Sequence, residues 1–392
     1  MHKAVIVSAC RTAIGDFNGT LKKVPTKKLG AIVINEAIGR AGISAESVDE
    51  VIMGCVLPHG MGQNPARQAV LTAGLPMHIE SLTVNKVCGS GLKAVMLAAQ
   101  AIQCGDAEVV VAGGMENMNQ APYMSPRARS GYRMGDAPFV DAMVHDGLWD
   151  VNNDMHMGVT AEHIAKKFNI SREEMDRFAL RSYEKALAAQ RDGKFKDEIV
   201  AVNIPQRKAD PVVFDTDEVP RETSMEILAG IRSAFIKDGL VTAGNSSKIS
   251  DGAAALVVMS SQKAESLGLE VMAEIGAQGA AAQDPMDVLV TPNLSIPKVL
   301  KKAGLGIEDI DLHEVNEAFS VSTVAVMREM GIPEELLNVH GGAVALGHPI
   351  GASGARVLVT LLYALIHRDL KRGMASLCLG GGEAVSLIVE RP

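Results

Sequence analysis

Short apolar runs alternate with longer helical patterns along most of the chain. The short runs predict strands buried on both faces of a sheet, and they lie at 4–9, 51–56, 109–112, 253–259, 271–277, 312–315 and 375–378. The longer segments predict helices at 26–41, 65–73, 90–103, 296–303, 317–329 and 353–368. Strands and helices that alternate in this way indicate an α/β fold.

An internal repeat relates two distant parts of the sequence. Three pairs of segments match in the same order and at nearly the same displacement: 41–49 with 303–311, 90–93 with 353–356, and 113–116 with 381–383. A repeat of this kind indicates a duplicated structural unit. We therefore predict that the chain consists of two related halves.

One long insertion separates the parts of the first half. Residues 1–116 and 243–270 form the predicted N-terminal half, and residues 271–392 form the C-terminal half. Residues 117–242 are richer in Met, Asp, Arg and Pro, and they contain the only tryptophan, Trp149. Because long insertions in compact folds are commonly lids or binding loops, we interpret this one as a substrate-binding loop domain. Surface decoration is the alternative.

Composition narrows the class of protein. Of the 392 residues, 47% are hydrophobic but only 3% are aromatic, so the core must be built from small aliphatic residues and the 20 methionines. The net charge of −8 argues against a nucleic-acid partner. The five scattered cysteines do not form a disulfide framework, which favours a reducing compartment. With no evident leader and no apolar run of membrane-spanning length, we expect a cytoplasmic protein without a membrane partner.

Cys88 is the most informative candidate for chemistry. It lies in the string Val-Cys-Gly-Ser-Gly between a strand-like run and an alanine-rich helix. The partial positive charge of a helix N-terminus favours a thiolate, and the neighbouring glycines let a substrate approach closely. Cys88 is thus a candidate nucleophile, although a single cysteine in such a place is also typical of an inert core residue.

Three further polar residues occur in glycine-rich or apolar surroundings. His348 lies within the glycine-rich segment 341–354, Cys378 precedes a Gly-Gly-Gly run, and Asn316 begins the string Asn-Glu-Ala-Phe. An imidazole near its ordinary pKa suits proton transfer to a thiol. Taken singly, His348 is also typical of a helix cap and Cys378 of a strand core. Together with Cys88 they favour a catalytic site.

These strings together resemble the thiolase family, close to its acetyl-CoA acetyltransferase (acetoacetyl-CoA thiolase) branch, over essentially the whole chain. The segments that carry the resemblance are 85–91, 112–116, 155–158, 242–254, 316–319, 341–354 and 378–382. The resemblance implies duplicated βαβαβαββ halves that make a five-layer α/β/α/β/α core with an inserted loop domain. This expectation agrees with the internal repeat.

The resemblance also implies roles for the reactive residues. Cys88 is expected to take the acyl group from CoA as a thioester, and His348 to be the base that activates it. Cys378 is expected to be the second thiol, which moves protons to and from the α-carbon of the second acetyl-CoA and the departing sulfur. Asn316, through a water molecule, is expected to join His348 in stabilising an oxyanion. The backbone N–H groups of Cys88 and Gly380 are expected to form the other oxyanion hole.

Contacts with CoA and the acyl group follow from the same resemblance. The residues concerned are Leu148, His156, Met157, Arg221, Ala243, Ser247, Val288, Ala318 and Phe319. His156 and Met157 are expected to flank the acyl pocket, with Leu148 and Ser247 along the pantetheine. Arg221 is expected at the adenine end of CoA; a solvated surface arginine is the alternative.

The sequence departs from the family pattern at one point. A Met-Gly-Xaa-Gly-Pro run usually lines the acyl pocket after an Asp-Pro pair, but here Val288 replaces Met, and Leu289 and Thr291 replace the glycines. A β-branched residue changes the shape of the pocket, and losing two glycines restricts the backbone. The preferred acyl chain length therefore stays open.

The function that the resemblance implies is reversible Claisen condensation of two acetyl-CoA molecules to acetoacetyl-CoA and CoA. CoA is then a substrate or product, and we expect no metal and no other cofactor, since no zinc-spaced cluster or P-loop is present. We also expect a homo-oligomer, either a dimer or a tetramer.

Three alternatives remain open at this point. A 3-ketoacyl-CoA thiolase of broader chain length in β-oxidation uses the same chemistry. A decarboxylating ketoacyl synthase shares the fold, but it does not need the second thiol, Cys378. A partner-dependent CoA-binding scaffold would not need the reactive residues at all.

Overall fold

The computed structural model describes residues 2–207 and 209–392. The strands are β1 (Ala4–Thr12), β2 (Gly15–Asp16), β3 (Glu50–Gly54), β4 (Glu80–Val84), β5 (Val109–Asn117), β6 (Tyr123–Met124), β7 (Val140–Asp141), β8 (Trp149–Asp150), β9 (Met155–His156), β10 (Ile199–Val200), β11 (Val202–Ile204), β12 (Val212–Phe214), β13 (Ser250–Ser260), β14 (Ala273–Ala282), β15 (Leu312–Val315), β16 (Arg372–Leu379) and β17 (Glu383–Glu390).

The α-helices are α1 (Thr26–Ala41), α2 (Pro65–Thr72), α3 (Ser90–Cys104), α4 (Ala142–Gly147), α5 (Met157–Lys167), α6 (Arg172–Arg191), α7 (Met225–Ala229), α8 (Ser261–Ser266), α9 (Pro292–Ala303), α10 (Ser320–Met330), α11 (Ala343–Leu346) and α12 (Ile350–His367). Short 3₁₀ segments lie at Thr20–Lys23, Ala45–Ser47, Met118–Gln120, Pro285–Val290, Ile307–Asp309 and Glu334–Leu336.

The duplication is visible in the order of the strands. One half-sheet runs β1-β13-β5-β3-β4, and the other runs β14-β17-β16-β15. In each, the first three strands are antiparallel and the next strand is parallel to the third. The two half-sheets join through β1 and β14, where Val5 lies opposite Glu274 and Ile6 opposite Ala273. The predicted domain boundaries stay predictions, but the repeated topology agrees with two related halves.

Five layers result from the way these half-sheets pack. Helices α3 and α12 lie together between the half-sheets, and α1 and α2 cover the outer face of the first. Helix α9 covers the second half-sheet, and α10 packs in the same apolar cluster. Alternate residues of β5 belong to different cores: Val110 and Ala112 face the central helices, whereas Val109 and Val111 face α1. Because successive side chains point to opposite faces and both faces are buried, the sequence of the strand shows a continuous apolar run at 109–112.

The central helices cross with their backbones in contact. A Cβ atom on Gly91 of α3 would lie 2.6 Å from the backbone nitrogen of Ala355 in α12. A Cβ atom on Gly354 of α12 would in turn overlap the backbone of Leu92 in α3. Gly91 and Gly354 are equivalent positions of the internal repeat, so the repeat supplies both sides of this contact.

A buried ion-pair network fixes the insertion to the first half. Arg11 of β1 is fully buried and donates from both terminal nitrogens to Asp217, at 2.7 and 2.9 Å. Its Nε donates to Glu198 at 2.5 Å. Because an unpaired charge at this depth is costly, these contacts hold the insertion in one place.

The predicted elements are present, but several of their ends differ. The strand predicted at 109–112 continues to Asn117, and the helix predicted at 296–303 begins earlier, at Pro292. The helix predicted at 317–329 begins at Ser320, because the buried Glu317 carboxylate accepts hydrogen bonds that hold the preceding residues in a loop. Strands β4 and β17 were not predicted. Because β4 lies at an exposed edge of the sheet, none of its residues is fully buried and it lacks the apolar run of the central strands.

Two helical windows, Val87–Cys104 and Ile350–His367, have the length and apolar composition of membrane spans. This corrects the sequence-based expectation that no apolar segment reaches such a length. Both belong to the central layer, and the second is buried over nearly its whole length. Their composition follows from this position, because a helix packed on all sides is apolar nearly all round.

Gly354→Ala tests the contact between the central helices. The added Cβ overlaps the backbone of Leu92, which cannot move without separating the two helices. We expect a loss of about 1–3 kcal/mol of stability, measured as a lower midpoint of thermal unfolding. Gly39→Ala is the matched control, because Gly39 is exposed in α1 and, within the described part of the chain, only its own helix lies within 4 Å of the added Cβ. It should stabilise by up to ~1 kcal/mol, and equal midpoints for the two variants would contradict the packing argument.

Candidate active site

A cavity of about 360 Å³ lies where the two halves meet the insertion. The predicted site residues that line it are Cys88, Leu148, His156, Met157, Ala243, Ser247, Val288, Ala318, Phe319, His348, Cys378 and Gly380. Residues that are far apart in the sequence therefore surround one volume, and its walls come from all three parts of the chain.

A strained turn places Cys88 at the N-terminal end of α3. Val87 has a φ of 46°, which is unfavourable for a β-branched residue. The turn is held by the Asn85 side chain, which accepts the Val87 N–H at 3.0 Å, and by Ser90. The Ser90 hydroxyl accepts the Lys86 N–H at 2.8 Å and donates to the Val87 carbonyl at 2.6 Å. The surrounding contacts thus force the backbone to present the thiol to the cavity.

The Cys88 thiol is neutral when the cavity is empty of substrate. Burial raises its pKa to about 11, while the N–H groups of Gly380 and of Cys88 itself point at the sulfur and oppose the shift. The sequence-based expectation of a helix-stabilised thiolate is therefore wrong for the resting state, because desolvation outweighs the donors. The same two N–H groups lie where they can stabilise negative charge near this sulfur.

His348 presents one ring nitrogen to the cavity and is held by the other. Its Nδ1 lies 2.6 Å from the Ser353 hydroxyl, which itself donates to the Pro349 carbonyl at 2.9 Å. Since the serine proton is used in that bond, Nδ1 carries the imidazole proton and Nε2 is left with its lone pair. Burial, with a smaller contribution from the Arg356 charge, lowers the pKa of His348 to about 3. The resting imidazole is therefore neutral.

Asn316 lies beside the Nε2 side of His348 and is not itself among the residues that line the cavity. Its Nδ2 is 3.5 Å from His348 Nε2, and its Oδ1 is buried without a hydrogen-bond partner among the described residues. Its own N–H donates to the Ser376 carbonyl of β16 at 3.0 Å. The next residue, Glu317, accepts hydrogen bonds from Ser182 and from other groups, so the loop has one orientation.

Cys378 provides a second thiol on β16. Its side chain is buried, and its carboxyl-terminal neighbours Leu379 and Gly380 also line the cavity. Burial raises the pKa of Cys378 well above its ordinary value, and the nearby Cys88 adds to the shift. Both thiols and the imidazole are therefore uncharged at neutral pH. Because a single charge is costly in this buried cavity, a proton gained by one of these three groups is expected to be accompanied by a proton lost from another.

An aromatic cluster forms the side of the cavity near the insertion. The His156 ring stacks on Phe235 with centroids 4.7 Å apart, and Phe235 meets Phe319 edge-on at 6.2 Å. The His156 Nδ1 accepts the Gly158 N–H at 3.0 Å, which caps α5 and fixes the ring. A Cβ at Gly158 would overlap the Phe235 ring.

The segment that departs from the family pattern forms a part of the wall that packs in the same apolar cluster as Phe235 and Phe319. Val288, only 1% exposed, and Leu289 line the cavity from the 3₁₀ segment Pro285–Val290. Thr291 is turned away from the cavity, and its hydroxyl interacts with the Gly382 carbonyl at 3.3 Å. Of the three residues that differ from the family pattern, Val288 and Leu289 therefore change the shape of the cavity, and Thr291 does not line it.

One residue that the sequence predicted as a CoA contact, Arg221, does not line the cavity, and other residues that do line it were not predicted. Arg221 is exposed, and its guanidinium lies 5.9 Å from the Tyr183 ring, outside the cavity lining. Its proposed contact with CoA stays a prediction. Phe235 and Lys248 line the cavity but were not predicted. Because only 3% of the residues are aromatic, a phenylalanine in the insertion was a candidate for a specific role, and Phe235 could have been identified in this way.

Comparisons with known proteins agree on one family. Residues 4–262 match the family model of the thiolase N-terminal domain, and residues 269–391 match that of the thiolase C-terminal domain. Acetyl-CoA acetyltransferases of Pseudomonas aeruginosa and Cupriavidus necator are each 55% identical over the whole of both chains. A probable acetyl-CoA acyltransferase of Staphylococcus aureus is 50% identical over the whole of both chains.

A solved structure is similar along the same length. The crystal structure of the Bacillus anthracis acetyl-CoA acetyltransferase superimposes with a TM-score of 0.98 at 43% identity. The match covers 100% of this chain and 99% of that one.

The neutral state of Cys88 can be tested by alkylation with iodoacetamide. Only the thiolate reacts, and burial places the pKa of Cys88 at about 11. In the protein without substrate, we expect the rate of Cys88 alkylation to keep rising with pH throughout the range below 11. Mass spectrometry of the Cys88 peptide measures the rate, and the exposed Cys104 peptide serves as an internal reference. A plateau at neutral pH would contradict the assignment and indicate a preformed thiolate.

Proposed function

The chain belongs to the thiolase family, as its sequence and predicted fold indicated, and we propose that it is an acetyl-CoA C-acetyltransferase. The proposed reaction is the reversible condensation of two acetyl-CoA molecules to acetoacetyl-CoA and CoA through a thioester on Cys88. One observation carries the proposal: Cys88, His348 and Cys378 face the same cavity, with Asn316 against His348. The full-length relatives named acetyl-CoA acetyltransferase support it.

The first half-reaction transfers an acetyl group to the enzyme. His348 Nε2 takes the Cys88 proton as the sulfur attacks the thioester carbonyl, and the carbon–sulfur bond to CoA then breaks. Cys378 gives its proton to the departing CoA sulfur. This leaves an imidazolium and the Cys378 thiolate, whose mutual attraction in a dry cavity offsets part of the cost of charging two neutral groups.

The second half-reaction reverses both proton transfers. The Cys378 thiolate removes an α-proton from a second acetyl-CoA, and the resulting carbanion attacks the acetyl group on Cys88. The carbon–sulfur bond to Cys88 breaks, and His348 returns its proton to that sulfur. All three groups are neutral again, so the resting state is restored without an added acid or base.

Donors close to these atoms support the developing negative charges. The Gly380 and Cys88 N–H groups that point at the Cys88 sulfur can stabilise the oxyanion of the acyl-enzyme. Asn316 and His348 lie together, with Nδ2 and Nε2 3.5 Å apart, and we propose that they hold an oxyanion of the second substrate through a water molecule. We propose that no metal and no further cofactor takes part, and that the protein acts in the cytoplasm.

A 3-ketoacyl-CoA thiolase of broader chain length is the second candidate. The observation that favours it is Val288, a smaller residue in the cavity wall than the methionine of the usual pattern. The same residues would carry out the chemistry, and only the length of the acyl group would differ. Such an enzyme would serve fatty acid metabolism in the direction of β-oxidation.

We also propose that the chain forms a homo-oligomer, a dimer or a tetramer. Strand β4 is an exposed edge of the sheet, and its Leu82 is 43% exposed. The segment from β6 to β7 projects as a hairpin that exposes Tyr123 (66%) and Phe139 (75%). A second copy covering these surfaces would remove apolar area from water. Light scattering coupled to size-exclusion chromatography measures the assembly directly.

The decisive experiment is thiolysis by the purified chain with CoA, comparing acetoacetyl-CoA with 3-ketooctanoyl-CoA. A higher kcat/KM for acetoacetyl-CoA is the expected result, and the reverse preference would favour the second candidate. Cys88→Ala is the control, because it removes the nucleophile and should abolish both activities. Folded wild-type protein that cleaves neither substrate would overturn both enzyme functions and favour a CoA-binding scaffold.

Ser353→Ala tests how His348 is held. The substitution removes the acceptor of the Nδ1 proton, so the imidazole loses its preferred tautomer. We expect kcat to fall about 10- to 100-fold with little change in KM. Ser266→Ala is the matched control, because its hydroxyl also donates to a carbonyl of its own helix but is exposed in α8. A wild-type kcat for Ser353→Ala would show that the serine does not orient the base.

Val288→Met tests the wall of the acyl pocket. The longer side chain enters the cavity, so we expect the ratio of kcat/KM for 3-ketooctanoyl-CoA to that for acetoacetyl-CoA to fall by about tenfold. Val290→Met is the control, because Val290 is buried in the same segment but does not line the cavity. A similar fall in both variants would assign the effect to the segment as a whole and not to Val288.

A further inference from the structure

The cavity wall formed by residues 243–247, which we call the CoA wall, is held by a lysine that the mechanism above does not use. The Lys248 ammonium donates to the carbonyls of Ala243 at 2.5 Å and Ser246 at 2.9 Å. The side chain therefore turns back over the segment that precedes it and fastens both ends of this short loop. Ala243, Ser246 and Ser247 all line the cavity.

The backbone of the same lysine contacts the proposed base. The Lys248 carbonyl accepts the His348 N–H at 3.0 Å and the Ser250 hydroxyl at 2.9 Å. The N–H of Ser247 donates to the Ala318 carbonyl at 3.1 Å. The CoA wall is thus joined on one side to His348 and on the other to the loop that begins at Asn316.

The charged and titratable groups around this ammonium are few. It lies 5.7 Å from the centre of the Tyr183 ring, which also has the Arg221 guanidinium 5.9 Å away. Burial and the Arg221 charge lower the pKa of Lys248 to about 7, and Asp16 partly opposes them. The ammonium is therefore present below this pH and lost above it. The His348 imidazole stays neutral over this range, since burial holds its pKa near 3.

We propose that Lys248 is a positioning residue, whose ammonium fixes the CoA wall in the conformation that binds the pantetheine of CoA. This inference rests on the proposed function. Charge-assisted hydrogen bonds are roughly twice as strong as neutral ones, so loss of the charge loosens the wall. Cys88, His348 and Cys378 keep their own contacts. Removing the charge therefore weakens CoA binding much more than it slows the chemical steps.

Lys248→Met, which removes the ammonium and keeps a side chain of similar length, provides the first test. We expect KM for CoA in thiolysis to rise about tenfold, with kcat changed much less. The dissociation constant of CoA from calorimetry should rise by a similar factor. Lys185→Met is the matched control, because the Lys185 ammonium also joins two carbonyls, those of Glu334 and Leu337, but does not line the cavity. It should leave CoA binding unchanged.

The pH dependence of CoA binding distinguishes a role of the Lys248 charge from a general loss of protein stability, because lower stability alone would not remove a step in the dissociation constant. In the wild-type protein the CoA dissociation constant should rise as the pH increases through about 7, as Lys248 loses its proton. Lys248→Met should show weak binding without this step. Lys248→Arg keeps a charge that does not titrate in this range, so it should bind tightly on both sides of the step. Ionisation of CoA itself contributes equally to the profiles of all the variants, so the effect of Lys248 is the difference between the wild-type profile and the variant profiles.

Two results would overturn the proposal. One is a Lys248→Met protein that binds CoA as tightly as the wild type, and the other is a pH step of equal size in Lys248→Met and the wild type. If Lys248→Met does not fold, the Lys248→Arg profile decides alone, and a step as large as that of the wild type contradicts the proposal. Wild-type protein that binds CoA but does not cleave acetoacetyl-CoA would overturn the proposed reaction, while calorimetry would still test the lysine.

Discussion

The architecture depends on one close contact, the crossing of α3 and α12 at Gly91 and Gly354. A side chain at either position would meet backbone, so the distance between the two helices is set by the absence of Cβ atoms. The contact extends to the start of α12, where the Gly351 carbonyl lies against Gly54 at the end of β3 and Gly114 within β5. These glycines bring the two halves together as a single body.

The active site is a consequence of that contact. Cys88 precedes the N-terminal end of α3 and His348 precedes that of α12, so helices that touch near their beginnings bring the thiol and the imidazole to one cavity. Each preceding loop is held by an equivalent serine of the repeat, Ser90 in the first half and Ser353 in the second. The insertion and the second thiol, Cys378, then complete the cavity.

Much of this arrangement could be predicted, for identifiable reasons. The buried strands and central helices have strong periodic patterns, and the repeat predicted the equivalence of Ser90 and Ser353. The reactive residues stand out because their neighbours are small or apolar. The protonation state of Cys88 could not be predicted, because the groups that bury the thiol, such as Leu379, and the Gly380 N–H that opposes the pKa shift are all distant in sequence. The inward position of Lys248 was missed because a lysine beside two serines is normally read as a solvated loop.

The repeat has one further implication for how such a site can arise. The displacement of 263 residues that relates Ser90 to Ser353 also relates Cys88 to Gly351 and Asn85 to His348, so the thiol and the imidazole each lack a counterpart in the other half. One nucleophile opposite one base therefore comes from halves that share a backbone but differ in sequence. Fusion of the halves into one chain allows each to be altered alone, so the asymmetry of the chemistry depends on covalent linkage between nearly symmetric partners.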